Sequence, residues 1–456
     1  MKRHVPGLLP RAGQHGQVLV PGLLLLGGLA AVLVMSYGVG RTVESRTRLI
    51  HAADAAAFSG ALEQARQLNF LAYANRAQVA HQIAMAHLVT LGASMAFADT
   101  LAGQHRRNNP PEHLLATLFG REVAQSYRVA RADPQVLADL ARAYAEHDRV
   151  VHDVLAAGSA AVVAGLPAAR ARLVRAVLRD NLGGGESPVF RLSHDDWPGY
   201  VRRRAATRGS GLWLAVELAA ARYAFLGRRD ATRSKALPGG MRCPQAPHAL
   251  RRRGSTWLGS DGRWGAIDTQ SFHSSRQNRW AGCYYREYSM GWGAVLAPDA
   301  KAPPGVEYVA SAPTAFTAQD FWHWVRQSTT WDLRAGTGTP LANSYAMAGA
   351  RRWPGRGLPD DYEVAKDAVP LRFTLTVRQE RQVAMRARAG DERAMSSARL
   401  DGPMAITVSS SAETYFSQPS AHSGGGDGLA PLFRPYWLAR LAPGAPARQP
   451  QGGGAP

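Results

Sequence analysis

The chain has 456 residues, 46% of them hydrophobic, and carries 54 Lys and Arg against 34 Asp and Glu, a formal charge of +20. That apolar fraction over this length excludes a disordered chain and supplies enough core for two or three domains. The basic excess is scattered, its densest run being Arg251, Arg252 and Arg253, so no nucleic-acid partner is expected.

Residues 1–17 form a leader containing Lys2, Arg3 and Arg11, and the 22 residues Val18 to Val39 are built largely of Leu, Val, Ala and Gly. As a helix this run spans about 33 Å, enough to cross a bilayer core. A cleaved signal peptide has a shorter apolar core, about 7–15 residues, and an A-x-A site; this run ends Tyr37, Gly38, Val39, Gly40. A single uncleaved N-terminal transmembrane helix over 18–39 is therefore expected. Arg41, Arg46 and Arg48 balance the leader's three basic residues, so orientation rests on the tendency of long domains to translocate regardless of charge. The expected topology is N-terminus cytoplasmic, bulk of the chain periplasmic, in a bacterial inner membrane.

The segment Thr42 to about Gln104 lacks Pro, is rich in Ala, Leu and Gln, and reads as a continuation of the membrane helix. Ala53, Ala57 and Ala61 recur every four residues with Gly60 beside them, a face of small side chains that either receives a partner helix or belongs to an ordinary Ala-rich helix. Asn108, Asn109, Pro110 and Pro111 break the helix, and Asp133 before Pro134 predicts an N-cap with Pro at the first helical position.

All eleven Trp lie beyond residue 196, and four of the 28 Pro fall between Thr42 and Leu182. This shift places a boundary at Gly183 to Pro188, between a helical region, 42–182, and a second module, 188–441. Trp213 to Phe225 still reads as helix. The fold class expected is α+β: mainly helical to about residue 235, then a β-containing, aromatic-rich C-terminal domain. Leu371, Phe373, Leu375 and Val377 alternate with polar residues and predict a half-buried strand, and Met404 to Val408 predicts another. Ser417 to Gly428 reads as a loop and 442–456 as a disordered tail. Cys243 and Cys283, the only cysteines, are a disulfide candidate in an oxidising compartment, or else two thiols.

Gln14, His15, Gly16, Gln17, Val18, Leu19, Val20, then the apolar span, then His51 to Ala57 reading H-A-A-D-A-A-A, resemble the N-terminal region of the TadE/TadG-like Flp pilus-assembly proteins. Ala412 to Phe416 and Leu432 to Leu441 resemble the end of one branch of them. The resemblance implies a membrane-anchored assembly factor or minor pilin-like component of a tight-adherence pilus or secretion apparatus. Its implied partners are the inner membrane and other apparatus subunits. The D-x-S-x-S metal motif of some larger members is absent, since Asp268 to Phe272 reads D-T-Q-S-F. Cleavage after Gly16 would leave Pro21 where pilin processing has Glu.

Catalytic signatures are missing: G-x-S-x-G, H-E-x-x-H, the Walker A loop and paired C-x-x-C do not occur. His194, Asp195 and Asp196 read as solvated loop residues rather than a metal or acid/base site. His81 and His87, six apart, face different ways on a helix. Trp322, His323 and Trp324 read as core more than as a sugar-stacking platform. The expectation is a non-enzymatic protein with no cofactor and no metal site. The alternative is an anchored or secreted periplasmic enzyme or carbohydrate binder using the aromatic module.

Overall fold

The computed structural model describes residues 19–183, 189–235, 248–278, 282–303, 306–309, 312, 319–326, 341–364, 370–381, 404–417 and 429–443. The leader 1–17, most of the expected 417–428 loop and nearly all of the 442–456 tail lie outside them.

One helix, α1 (Leu19–Arg106), runs 88 residues without interruption, about 130 Å at the α-helical rise. It stops where Asn108 takes a left-handed conformation ahead of a cis Asn109–Pro110 bond. Short helices α2 (Glu112–Phe119) and α3 (Arg121–Val129) follow. Then α4 (Pro134–Arg149) continues through a π-helical stretch, Val150–Ala156, into α5 (Ala157–Leu182). The expected cap is present: the Asp133 carboxylate accepts the Gln135 N–H at 2.8 Å, with Pro134 in the first turn.

Three sheets lie against this helical frame. The first is antiparallel, in the order β1 (Val189–Asp195), β10 (Leu371–Arg381), β11 (Met404–Phe416), β12 (Trp437–Ala442). The second pairs β2 (Val201–Arg204) with β9 (Asp361–Val364). The third has the order β3 (Gly227–Asp230), β5 (His248–Leu258), β6 (Trp264–Asn278), β7 (Gly282–Leu296), β8 (Arg351–Arg352), with β4 (Arg233–Lys235) also on β5. Helices α6 (Gly211–Ala220), α7 (Phe321–Arg326) and α8 (Leu341–Ala348) fill in around them.

The fold is thus α+β with a long apolar N-terminal helix and an aromatic-rich β region. The helical stretch does not reach residue 235 as expected; it ends at Leu182, and β1 to β4, with α6 among them, occupy the chain from Val189 to Lys235. The cause is long-range pairing. β1 finds its partner in β10, where Val189 stands opposite Arg378, and no local pattern carries that information. In β10 the predicted alternation is realised, with Leu371, Phe373, Leu375 and Val377 all fully buried.

Helix α1 is the common wall of every large core. Leu49, Ala52, Ala53 and Ala56 pack with Val174 and Leu178 of α5 and Leu375 and Val377 of β10. Farther along, Met85, Ala86, Val89 and Ala93 meet Trp213 of α6, Trp264 of β6 and Val295 of β7. Phe97 and Leu101 join Phe272, Tyr288, Phe321 and Trp324. The two sides of the 183–188 junction therefore share their cores. A helix enclosed this way must satisfy its own polar side chains. Asn69 donates to the Trp437 carbonyl and accepts its N–H, both at 3.0 Å. Asn75 donates to the Leu432 carbonyl, and Gln82 accepts the Trp264 indole N–H.

Candidate functional site

Two features stand apart from this packing. The first is the free end of α1. From Leu19 to Arg48 the helix is exposed, and Leu49 is its first buried residue. Leu23, Leu24, Leu25, Leu26, Val32 and Met35 are each more than half exposed. No charge interrupts Leu19 to Gly40, and Arg41 and Glu44 pair just beyond it. Among the described residues two helices are long and apolar enough to cross a membrane by length and composition: α1, whose apolar window is wholly unburied, and Pro134–Leu182, whose window is partly packed.

The small-residue face predicted at Ala53, Ala57, Gly60 and Ala61 is filled from within the chain. A side chain at Gly60 would meet the Phe373 ring at 2.7 Å and Arg170 at 3.3 Å. Ala57 and Ala61 pack on Phe373 and Ala412. Cys243 lies outside the described residues. Cys283 is placed by its backbone in β7, opposite Gln277, and its side chain lies outside the described set.

The second feature is a cleft of about 390 Å³ on the third sheet, on the face turned away from α1. Arg228 and Asp230 of β3, Arg251, Arg253 and Ser255 of β5, Thr269 of β6, Asn343 of α8 and Glu307 line it. Register explains the clustering: Arg228 stands opposite Ser255, Asp230 opposite Arg253, and Arg253 opposite Thr269, so alternate residues of three strands share one face. Arg228 is exposed and makes no hydrogen bond or ion pair among the described residues.

Beneath the cleft lies a buried polar layer. Arg253 donates to Ser271 at 3.2 Å and to Glu287 at 3.0 Å, while Ala342 donates its N–H to the same Glu287 oxygen. Burial pushes the Glu287 carboxyl above the usual carboxylate range, against the pull of Arg253. Burial likewise holds His273 well below the ordinary imidazole value, assisted by Arg253 and Arg251. Ser271, His273 and Glu287 do not form a nucleophilic relay. Ser271 Oγ and the nearer Glu287 oxygen approach the same ring nitrogen, Nε2, at 3.0 and 3.6 Å, whereas a relay needs base and acid on opposite nitrogens. All three are buried as well. On the α1 side, Asp268 pairs with Arg229 and Arg252, each at 3.5 Å.

Several sequence candidates have structural roles. Asp195 is held by both guanidinium nitrogens of Arg170. His194 pairs with Asp196 at 2.7 Å, and Asp196 accepts the Arg372 N–H. His194 and Asp195 end β1 rather than lie in a loop, and Asp196 follows in the loop after it. Trp324 is core and Trp322 is exposed. No group of three metal-ligating side chains occurs among the described residues. His87 stacks on Phe225, whereas His81 meets His147 of α4, Nδ1 to Nδ1 at 2.7 Å. The sequence shows Arg251 to Arg253 only as a short basic run, because their convergence with Arg228 depends on β3 pairing with β5.

The His81–His147 contact needs one proton between the facing nitrogens, and a second would bring like charges together. Burial, then the His147 charge, lowers the His81 pKa. A base depressed in the folded state contributes stability that is full above the unfolded value, about 6.5, and is lost as pH falls toward the folded value. Thermal melts from pH 7.5 to 5 should show a steeper loss for the native chain than for His81→Leu. Parallel slopes would exclude the pair as a contributor.

No protein-family model matches this chain, and neither a curated protein nor a solved structure matches it.

Proposed function

We propose that this protein is a membrane-anchored, non-enzymatic assembly component, of the kind its N-terminal motifs resemble in the TadE/TadG-like Flp pilus-assembly proteins. The supporting observation is the unburied apolar end of α1: about 45 Å of helix from Leu19 to Arg48, whose apolar part packs on nothing among the described residues and which first touches the body where Arg48 donates to the Asn181 carbonyl. Exposed Leu, Val and Met over such a length cannot be reconciled with water, and their length suits a bilayer core. The same helix is the spine of the folded body, so a force or displacement at the anchor passes into the sheets without a hinge. In this reading α1 crosses the inner membrane once, the body is periplasmic, and its outer surface meets other subunits of a pilus or secretion apparatus.

The test combines a C-terminal reporter active only outside the cytoplasm, alkaline extraction of membranes and an N-terminal mass. An intact, extraction-resistant protein with an exported C-terminus is the expected result. In Leu25→Arg/Leu29→Arg, at about 2.5–3.5 kcal/mol per mid-bilayer Arg, most of the protein should leave the membrane fraction. Release of the native chain as a shortened soluble form would replace the anchor with a signal peptide and favour a secreted binder or enzyme. Pilus counts in a deletion strain test the assembly role; unchanged piliation would refute it.

A further inference from the structure

We propose that the cleft on the third sheet is a binding site for an oxyanion-bearing organic ligand, best matched by a phosphomonoester. Three arginines, Arg228, Arg251 and Arg253, face it against two carboxylates, Asp230 and Glu307, while Arg229 borders it with its guanidinium turned to Asp268 on the α1 side. The buried acids beneath it are already matched, Glu287 by Arg253 and Asp268 by Arg229 and Arg252. Asp230 turns one oxygen to the N–H and hydroxyl of Thr232. Arg228 is thus a cation at the cleft rim without a partner among the described residues.

The donors come from different elements: Arg228 from the edge strand, Arg251, Arg253 and Ser255 from β5, and Asn343 from α8. Donors spread around a point suit the three outward oxygens of a tetrahedral phosphoryl group better than the two coplanar oxygens of a carboxylate. A cleft of about 390 Å³ also exceeds what a bare oxyanion fills. Ile267 and Val306, with Thr269 and Asn343, leave room for a small group of mixed polarity, such as a sugar.

The ligand would come from solution. Ala93 of α1 lies against Gly293 of this sheet, and 53 residues of helix separate Ala93 from Gly40, about 80 Å, so the cleft stands far from any bilayer around the apolar end. That exclusion of a lipid source rests on the membrane reading of α1; the binding itself does not.

The test is calorimetric titration of the purified full-length chain in detergent with glucose 6-phosphate, inorganic phosphate and glucose. Saturable binding of both phosphates but not of glucose is expected, weakening as salt rises. Arg228→Glu and Thr232→Glu, both at exposed positions, should each weaken it at least tenfold with unchanged circular dichroism. Arg172→Glu, exposed on α5, should leave the affinity unaltered. No saturable phosphate binding by the native chain, or unchanged affinity in both cleft variants, would overturn the proposal. Phosphatidate in mixed micelles should compete no better than inorganic phosphate; tighter binding than glucose 6-phosphate would overturn the soluble source.

Discussion

Replacing Gly293 by alanine is expected to be among the most damaging single-methyl changes available in this chain. The residue lies in β7 where the strand crosses α1, and a Cβ there would stand 2.3 Å from the Phe97 backbone nitrogen and 2.4 Å from the Ala93 carbonyl oxygen. Those neighbours are helix backbone, which cannot rotate aside as a side chain can. Gly291, two residues earlier on the same face, would meet the Phe97 ring at 2.8 Å, so the sheet touches the helix through two glycines. Relieving the clash means lifting the strand from the helix and loosening the Phe97, Leu101, Tyr288 and Met290 core. Overpacking typically costs about 1–3 kcal/mol, more where nothing can yield, and about 3–5 kcal/mol is expected here. For a chain of this length that corresponds to a fall in Tm of roughly 3–7 °C. Gly165→Ala in α5, with nothing within 4 Å, should instead stabilise by about 0.5–1 kcal/mol. Thermal denaturation of the two variants checks both signs, and equal Tm values would show that the helix and sheet are not in the close contact described.

Asp195→Ala should be nearly as costly, by a different mechanism. Arg170 is 1% exposed, its guanidinium set 4.8 Å from the centre of the Phe373 ring and paired to both oxygens of Asp195. Removing the carboxylate leaves a charge buried among Gly60, Val174 and Phe373 with little water to replace it. Breaking one side of a buried pair typically costs about 3–5 kcal/mol. Because the Asp195 side chain is 23% exposed, solvent can screen part of the loss, and about 3 kcal/mol is expected. The double variant Arg170→Met/Asp195→Ala should recover much of it, since the stranded charge is then gone. If the double variant is no more stable than Asp195→Ala, the penalty lies in lost packing rather than in an uncompensated charge.

These predictions locate a mechanical property of the molecule. The helix that carries the exposed apolar segment is the same one on which Phe373 of the first sheet and Gly293 of the third are seated. A membrane anchor joined by a flexible linker would leave the body free to tumble. Here the exposed apolar segment and the body share one rod, so in the membrane reading proposed above the body would keep a fixed relation to the bilayer.

Properties that depend on neighbours in the chain were open to sequence reading. The uninterrupted helix through Thr42 to Gln104, its stop at the Asn-Asn-Pro-Pro run, the Asp133 cap and the alternation in β10 follow from helix propensity, capping and period-2 burial. The apolar stretch after Val18 was visible for the same reason. What occupies the small-residue face around Gly60 was not, because Phe373 and Arg170 reach it from segments more than a hundred residues away. β1 and β3 escaped notice because their pairing partners, not their own sequences, make them strands. The cleft is the strongest case. In the chain Arg251 and Arg253 belong to a short basic run and Arg228 is a scattered basic residue, and only the antiparallel register of β3, β5 and β6, with α1 sealing the opposite face, brings their charges together over a buried polar floor.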